Sequence, residues 1–139
     1  MRFLVYSRLQ AERLDLREPH AVISIREPGS RVPVIPENEF CRGVLRLSFH
    51  DLLRVVDSTD EPFTAEHAEQ ILEFVDRVAG DGVTLVVHCE AGISRSAGVA
   101  AALSRSFLGA DASFFENYIP NSLIYGMLLE AWRSRAARR

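Results

Sequence analysis

The chemistry this chain can perform is concentrated in one run, His88-Cys89-Glu90-Ala91-Gly92-Ile93-Ser94-Arg95-Ser96. An apolar stretch, Val83 to Val87, precedes it and a stretch of small residues, Ala97 to Leu103, follows it. That context places the run on a loop between a buried strand and the start of a helix. Backbone N–H groups at a helix start lack intrahelical partners, and the helix dipole favours anions there. Gly92 permits the curvature that turns the N–H groups of Glu90, Ala91, Gly92, Ile93, Ser94 and Arg95 toward one oxyanion. Arg95 has the fork of donors that fits two oxygens of a phosphoryl group. Cys89, at the base of this positive cradle, is expected to be a thiolate at neutral pH and so a nucleophile. Ser96 stands where its hydroxyl can donate to the sulfur and ease its departure. His88 is expected to orient the loop through backbone bonds rather than to act as a base.

The pattern His-Cys-x5-Arg-Ser resembles the signature of the cysteine-dependent protein phosphatases, and most closely that of the small dual-specificity and tyrosine phosphatases. The resemblance implies a single-domain α/β fold over residues 1–139, with a mainly parallel central sheet flanked by helices. It implies hydrolysis of phosphotyrosine, and of phosphoserine and phosphothreonine, through a cysteinyl-phosphate, with no metal and no cofactor. The expected partner is a phosphorylated protein or another phosphomonoester. A phosphoinositide or small phosphomonoester substrate is the alternative within the enzyme class, and a non-catalytic phosphoprotein-binding module is the alternative outside it. Among the loop's variable positions, Glu90, Ala91, Ile93 and Ser94 supply no cation, which disfavours a highly charged substrate. In the family a general-acid aspartate follows the strand that precedes the helix before the signature. Asp51 takes that role here, with Asp57 and Asp60 on the same connection as alternatives. The tryptophan-proline-aspartate form of the larger tyrosine phosphatases is absent, since Trp132 is the one tryptophan.

Other segments must position that loop. The residues from Arg2 read as a first strand. Ala21 to Ile25 is short and β-branched, closed by the turn signal Glu27-Pro28-Gly29-Ser30. Arg31 to Asn38, with Pro33 and Pro36, reads as a loop or irregular edge. Gly43 to Phe49 reads as a strand that runs out at His50-Asp51. Thr64 is a predicted N-cap for a helix whose apolar face is Ala68, Ile71, Leu72, Val75, Val78 and Ala79, closed by Gly80 in a left-handed conformation. Val83 to Val87 is apolar almost throughout, as expected of a strand buried on both faces. Asp111 is a predicted cap of a further helix. Asn121 is predicted to cap the last helix, with Leu123, Met127, Leu128 and Trp132 on its apolar side. Strands alternating with helices predict an α/β domain.

Composition narrows the remaining classes. The chain has 139 residues, 47% of them apolar, and a net charge of −3 from 16 basic and 19 acidic side chains. That suits one folded domain and argues against a general nucleic-acid binder. All the basic residues are arginine. Arg133, Arg135, Arg138 and Arg139 read as a solvated helix end. No apolar run reaches the roughly 20 residues of a membrane span, and the N-terminus lacks the form of a signal peptide, so a cytoplasmic location is expected. Two cysteines and four scattered histidines do not make a disulfide framework or a structural zinc site. Cys41 reads as a core residue, with a reversible disulfide to Cys89 as the alternative. The oligomeric state is not legible.

Overall fold

The computed structural model describes residues 1–138. In chain order the elements are β1 (Arg2–Tyr6), α1 (Arg8–Glu12), β2 (His20–Arg26), β3 (Cys41–Ser48), α2 (Ala65–Val78), β4 (Thr84–His88), α3 (Arg95–Leu108), α4 (Ala112–Asn117) and α5 (Ser122–Ala137). The four strands form one sheet in the order β1-β4-β2-β3, and every neighbouring pair is parallel. β4 is therefore inserted between strands that precede it in the chain. Tyr6 and Ser24 both stand level with His88 in the ladder, so the chain leaves β4 at the middle of the sheet's carboxyl edge. Ligands of parallel sheets bind at that edge, where strand order reverses.

Alternation along each strand divides the core in two. Phe3, Val5, Ala21, Ile23, Ile25, Leu85 and Val87 face α2, α3 and α5. Val22 and Val86 face the other way, onto Ala11, Leu14 and Ile35. Hence β4 is buried on both faces, by helices on one side and by α1 with the 31–38 loop on the other. α3 approaches closely because Ala97 through Ala102 are small and fully buried. At Gly98 an added Cβ would lie 2.9 Å from the Asn121 carbonyl oxygen, so only glycine lets α3 meet the start of α5.

The caps follow local chemistry, with three departures from expectation. Thr64 accepts from the His67 N–H, and His67 closes a capping box in the usual Glu or Gln position. α2 ends on Ala79 in an extended conformation, and Gly80 is not left-handed. Ala79 is exposed, and Phe74 occupies the buried face instead. Nor does space require glycine at 80: a Cβ there would lie 3.1 Å from Arg42 Nη1, the far end of an exposed, flexible side chain that donates to the Val78 carbonyl. Asp111 precedes α4 without capping it, because its carboxylate accepts from the Tyr125 hydroxyl. In α5 the buried line is Ile124, Leu128 and Leu129, with Leu123, Met127 and Trp132 only part-buried.

Cys41 is part-buried at the start of β3, level with His20 and hence with Thr84. Cys89 lies beyond the other end of β4, so the two are about 15 Å or more apart. A disulfide needs Cα atoms within roughly 7 Å, which removes the proposed Cys41–Cys89 bond. Arg135 pairs with Asp76 across α5 and α2 rather than standing free in solvent. Arg139 lies outside the described residues. Among the described residues no helix is long and apolar enough to cross a membrane.

Candidate active site

Residues 89–94 leave β4 and curl into the first turn of α3. Gly92 adopts φ +71°, and a Cβ on it would lie 2.6 Å from the Ser7 nitrogen and 2.7 Å from the Tyr6 carbonyl carbon. The loop thus packs directly on the β1–α1 junction, and any side chain at 92 meets backbone that cannot yield.

The loop's carbonyls are engaged outward. Glu90 O accepts from Arg8 N at 3.1 Å, and Ile93 O accepts from Ile119 N at 3.1 Å. Ser94 O accepts from Gly98 N at 2.9 Å and from Asn121 N at 3.0 Å. Cys89 O accepts from His88 Nδ1 at 3.2 Å. Because each peptide is planar and trans, a carbonyl turned outward turns the following N–H the opposite way. The N–H groups of Glu90, Ala91, Ser94 and Arg95 are thereby directed toward the loop's interior. Three elements, the β1–α1 junction, the α4–α5 junction and α3 itself, hold this arrangement before any ligand arrives.

Cys89 is 2% exposed and forms the floor, its Sγ 3.1 Å from Ser96 Oγ. Arg95 is 6% exposed. Its Nη1 donates to Glu27 Oε2 at 2.7 Å and to the Phe49 carbonyl at 3.0 Å, while Nε is buried with no hydrogen-bond partner. A buried guanidinium N–H left unpaired costs on the order of 1–3 kcal/mol, which an oxyanion in the loop would recover. Ser94 starts α3 without capping it; its hydroxyl is committed to Asp51 instead, so the helix N-terminus keeps its free donors.

His88 is fully buried. Since Nδ1 donates to the Cys89 carbonyl, the neutral ring accepts at Nε2 from the Ser24 hydroxyl, 2.6 Å away. Burial pushes its pKa below the ordinary histidine value, so it stays neutral and serves as a strut under Cys89. Glu90 is not turned on the phosphate site: Arg8 Nη1 holds its carboxylate at 3.0 Å.

The three aspartates of the 49–63 connection are placed differently. Asp51 Oδ1 accepts from Ser94 Oγ and from Asn121 Nδ2, each at 2.8 Å, which puts it on the rim of the loop. Asp60 accepts from the Val56 and Asp57 N–H groups, and Asp57 accepts from Thr59. Those backbone donors, with the Thr59 hydroxyl beside Asp57, hold both carboxyls below the ordinary range.

Three partners were not legible as site residues. Glu27 stood in a turn signal; its place directly after a buried strand, at the carboxyl edge of a parallel sheet, was the available sign. Asn121 is the cap that the sequence predicts, accepting from Ile124 N at 3.0 Å; its Nδ2 also holds Asp51 and the Leu52 carbonyl. Arg8 left no signal beyond its position after the first strand.

This sheet order and its loop-to-helix passage at the carboxyl end of β4 define the fold of the small dual-specificity-like phosphatases. Among solved structures, the chain is similar to the human tyrosine phosphatase-like serine/threonine/tyrosine-interacting protein, with TM-score 0.68 and 20% identity over 96% of this chain and 93% of that one. It is similar to a variant of human DUSP28, with TM-score 0.63 and 21% identity over 99% and 93% of the two chains. PTPMT1 in complex with PI(5)P gives TM-score 0.59 and 19% identity over 99% and 94%. At these identities the likeness establishes the fold. No protein-family model matches the chain, and no curated protein sequence does.

Proposed function

We propose that this protein is a metal-independent phosphomonoester hydrolase, acting on phosphotyrosine and on phosphoserine or phosphothreonine in proteins. The observation that carries the reading is the buried Arg95 guanidinium, with Nε unpartnered, beside a loop whose bonded carbonyls turn its N–H groups inward. In the first step the Cys89 thiolate attacks phosphorus. The phosphorus–oxygen bond to the substrate breaks, and Asp51 delivers its proton to the leaving oxygen. In the second step Asp51, now a base, takes a proton from water as that water attacks phosphorus. The sulfur–phosphorus bond breaks, Ser96 donates to the departing thiolate, and inorganic phosphate leaves. Arg95 and the loop N–H groups stabilise the equatorial oxygens through both steps.

The human neighbour's name describes a phosphatase-like, interacting protein, which bears on the non-catalytic alternative. Here Cys89, Arg95 and Ser96 are all in place, which favours turnover. The PTPMT1 structure contains PI(5)P, which bears on the lipid alternative. The loop's variable positions offer no cation, and Glu90 closes onto Arg8, which favours a protein substrate.

The test is steady hydrolysis of phosphopeptides in EDTA, beside PI(5)P vesicles and nucleotides. The wild type is expected to turn over phosphopeptide and to yield a trapped thiophosphate on Cys89 after rapid quench, with Cys89→Ser inert. Equal phosphopeptide binding by wild type and Cys89→Ser without turnover in either identifies a binding module. A preference for the vesicles identifies a lipid phosphatase.

A further inference from the structure

The mouth of the phosphate loop is bordered by two unlike surfaces. At the Glu90 end the bordering groups are charged and satisfied by one another. Arg8 pairs with Glu90 at 3.0 Å and with Glu12 at 3.6 Å, and its Nη2 donates to the Arg31 carbonyl at 2.6 Å. At the Ile93 end the border is aliphatic. Ile93 is 46% exposed and Ile119 is 74% exposed, and the bond from Ile119 N to the Ile93 carbonyl sets the two residues side by side. Two residues further on, Asn121 Nδ2 donates to the Leu52 carbonyl at 3.0 Å, which brings the exposed Leu53 to the same border.

Single exposed apolar side chains are normal on a protein surface, but several gathered in one place mark a contact. Leu53, Ile93 and Ile119 come from three separate segments, the 49–63 connection, the phosphate loop and the α4–α5 junction, so no pattern within one element put them together. Val55 and Val56 follow Leu53 along the connection and are exposed as well. The other exposed large apolar residues lie elsewhere. Leu9, Val32 and Val34 belong to the layer of α1 and the 31–38 loop on the other face of the sheet. Leu108 ends α3, and the Phe115 ring stands edge-on to Tyr125.

We propose that this rim receives an aliphatic side chain of the protein substrate, on one side of the phosphorylated residue and within about two positions of it; this rests on the hydrolase reading above. The rim is continuous with the loop, so whatever enters the loop decides what lies over the rim. A phosphoserine side chain is short. To seat its phosphoryl group above Cys89 the polypeptide has to descend to the mouth, and its flanking residues then rest on the border. An aliphatic residue there buries apolar area against Ile93, Ile119 and Leu53, whereas a polar one loses water without a partner. Phosphotyrosine, with a ring between backbone and phosphate, holds its neighbours farther out. The favoured substrate is therefore a phosphoserine or phosphothreonine with an aliphatic neighbour on one side.

Hydrolysis of peptides that differ at one position tests this. In phosphoserine peptides, leucine in place of serine at a neighbouring position on one side is expected to raise kcat/KM about tenfold, the effect of covering most of a leucine side chain. The gain should come through KM with kcat unchanged, and should fall to about threefold or less in phosphotyrosine peptides. Leu53→Ser and Ile119→Ser, both at exposed side chains, should each remove part of the gain and together all of it. Leu53→Ser should hydrolyse p-nitrophenyl phosphate, which has no flanking residue, as the wild type does. Hydrolysis indifferent to leucine, or a gain that survives both substitutions, overturns the rim and leaves the hydrolase standing. Leucine-dependent peptide binding without turnover, followed by fluorescence anisotropy and lost in the double variant, overturns the hydrolase and leaves the rim as a binding surface. Capture of the wild type by phosphatidylcholine–phosphatidylserine vesicles, lost in Leu53→Ser and with no leucine gain in peptides, overturns the peptide assignment and makes the rim a lipid contact.

Discussion

The phosphate loop and the connection from Phe49 to Phe63 converge on one site, yet they are held by different means. The loop is fixed from outside, its carbonyls bound by Arg8, Ile119, Asn121 and Gly98 and its glycine pressed on Tyr6 and Ser7. Beyond Asp51 the connection is held mostly by itself. His50 N donates to the Glu61 carbonyl, Glu61 N donates back to His50 Nδ1, and Asp57 and Asp60 close their own turn. Leu53, Val55 and Val56 are 67%, 59% and 76% exposed, an apolar exposure that marks few packing contacts. The difference matches two chemical tasks. Transition-state charge is stabilised only by dipoles already in place, whereas a proton donor has to meet a leaving group that arrives with each substrate and then departs.

Disabling the cradle should therefore cost most. Arg95→Lys keeps the charge but cannot span Glu27, the Phe49 carbonyl and a phosphoryl group together. A loss of about 10³-fold in kcat/KM is expected, with binding of phosphate weakened as well. Near wild-type turnover of phosphopeptide by Arg95→Lys would show that charge alone suffices and that the fixed geometry is incidental.

Removing the acid should cost less and depend on the substrate. Asp51→Asn is expected to lower kcat about 10²-fold on phosphoserine peptide, and much less on p-nitrophenyl phosphate, whose leaving group needs no proton. The falling limb of the pH profile should go with it. Asp57→Asn and Asp60→Asn should leave both substrates and the profile unchanged, since both carboxylates are committed to donors of their own turn. If either of them reproduces the leaving-group effect, the acid is misassigned.

Asn121 is the side chain that joins the two regions, bonding Asp51 and Leu52 of the connection while its backbone N–H holds Ser94 of the loop. Asn121→Ala should cost about 1 kcal/mol through the lost cap, seen as a drop in thermal midpoint. It should also lower kcat by about tenfold on phosphoserine peptide with little change on p-nitrophenyl phosphate. A merely structural role would lower both substrates alike.

What the sequence displayed of all this was what lies close along the chain. The cysteine, glycine, arginine and serine of the loop are within eight residues, and Thr64 and Asn121 announce the helices they cap. The bracing was hidden because it is assembled by strand order. Glu27 meets Arg95 across 68 positions, Arg8 meets Glu90 across 82, and Ser24 meets His88 across 64. Those meetings exist because β4 inserts beside β1 and β2, which chain order does not show. Gly80 shows the converse: a glycine placed by sequence as a left-handed helix end takes no such conformation here, because the chain continues extended from Ala79.

Acid separates the buried supports of both regions from the exposed turn of the connection by a smaller effect. Burial lowers the pKa of His88 under the loop, and of His67 beside Phe49 and Phe63, from the ordinary 6.5. Below about pH 6.5 the unfolded chain takes up protons that the folded chain refuses. Stability is therefore lost as pH falls through that window, by up to about 1.4 kcal/mol per pH unit for each histidine. Asp57 and Asp60 are lowered from 3.8, so the self-made turn of the connection keeps its contribution until pH falls below about 3.8. The thermal midpoint should thus decline in two stages, the buried supports under the loop and at the ends of the connection weakening first and the self-made turn last. His88→Asn should flatten part of the upper stage and His67→Gln the rest, while Asp57→Asn should alter only the lower one. An upper stage that survives loss of both histidines would mean that the neutral strut under Cys89 is not what fails in mild acid, and that the cradle is less dependent on its buried support than its hydrogen bonds indicate.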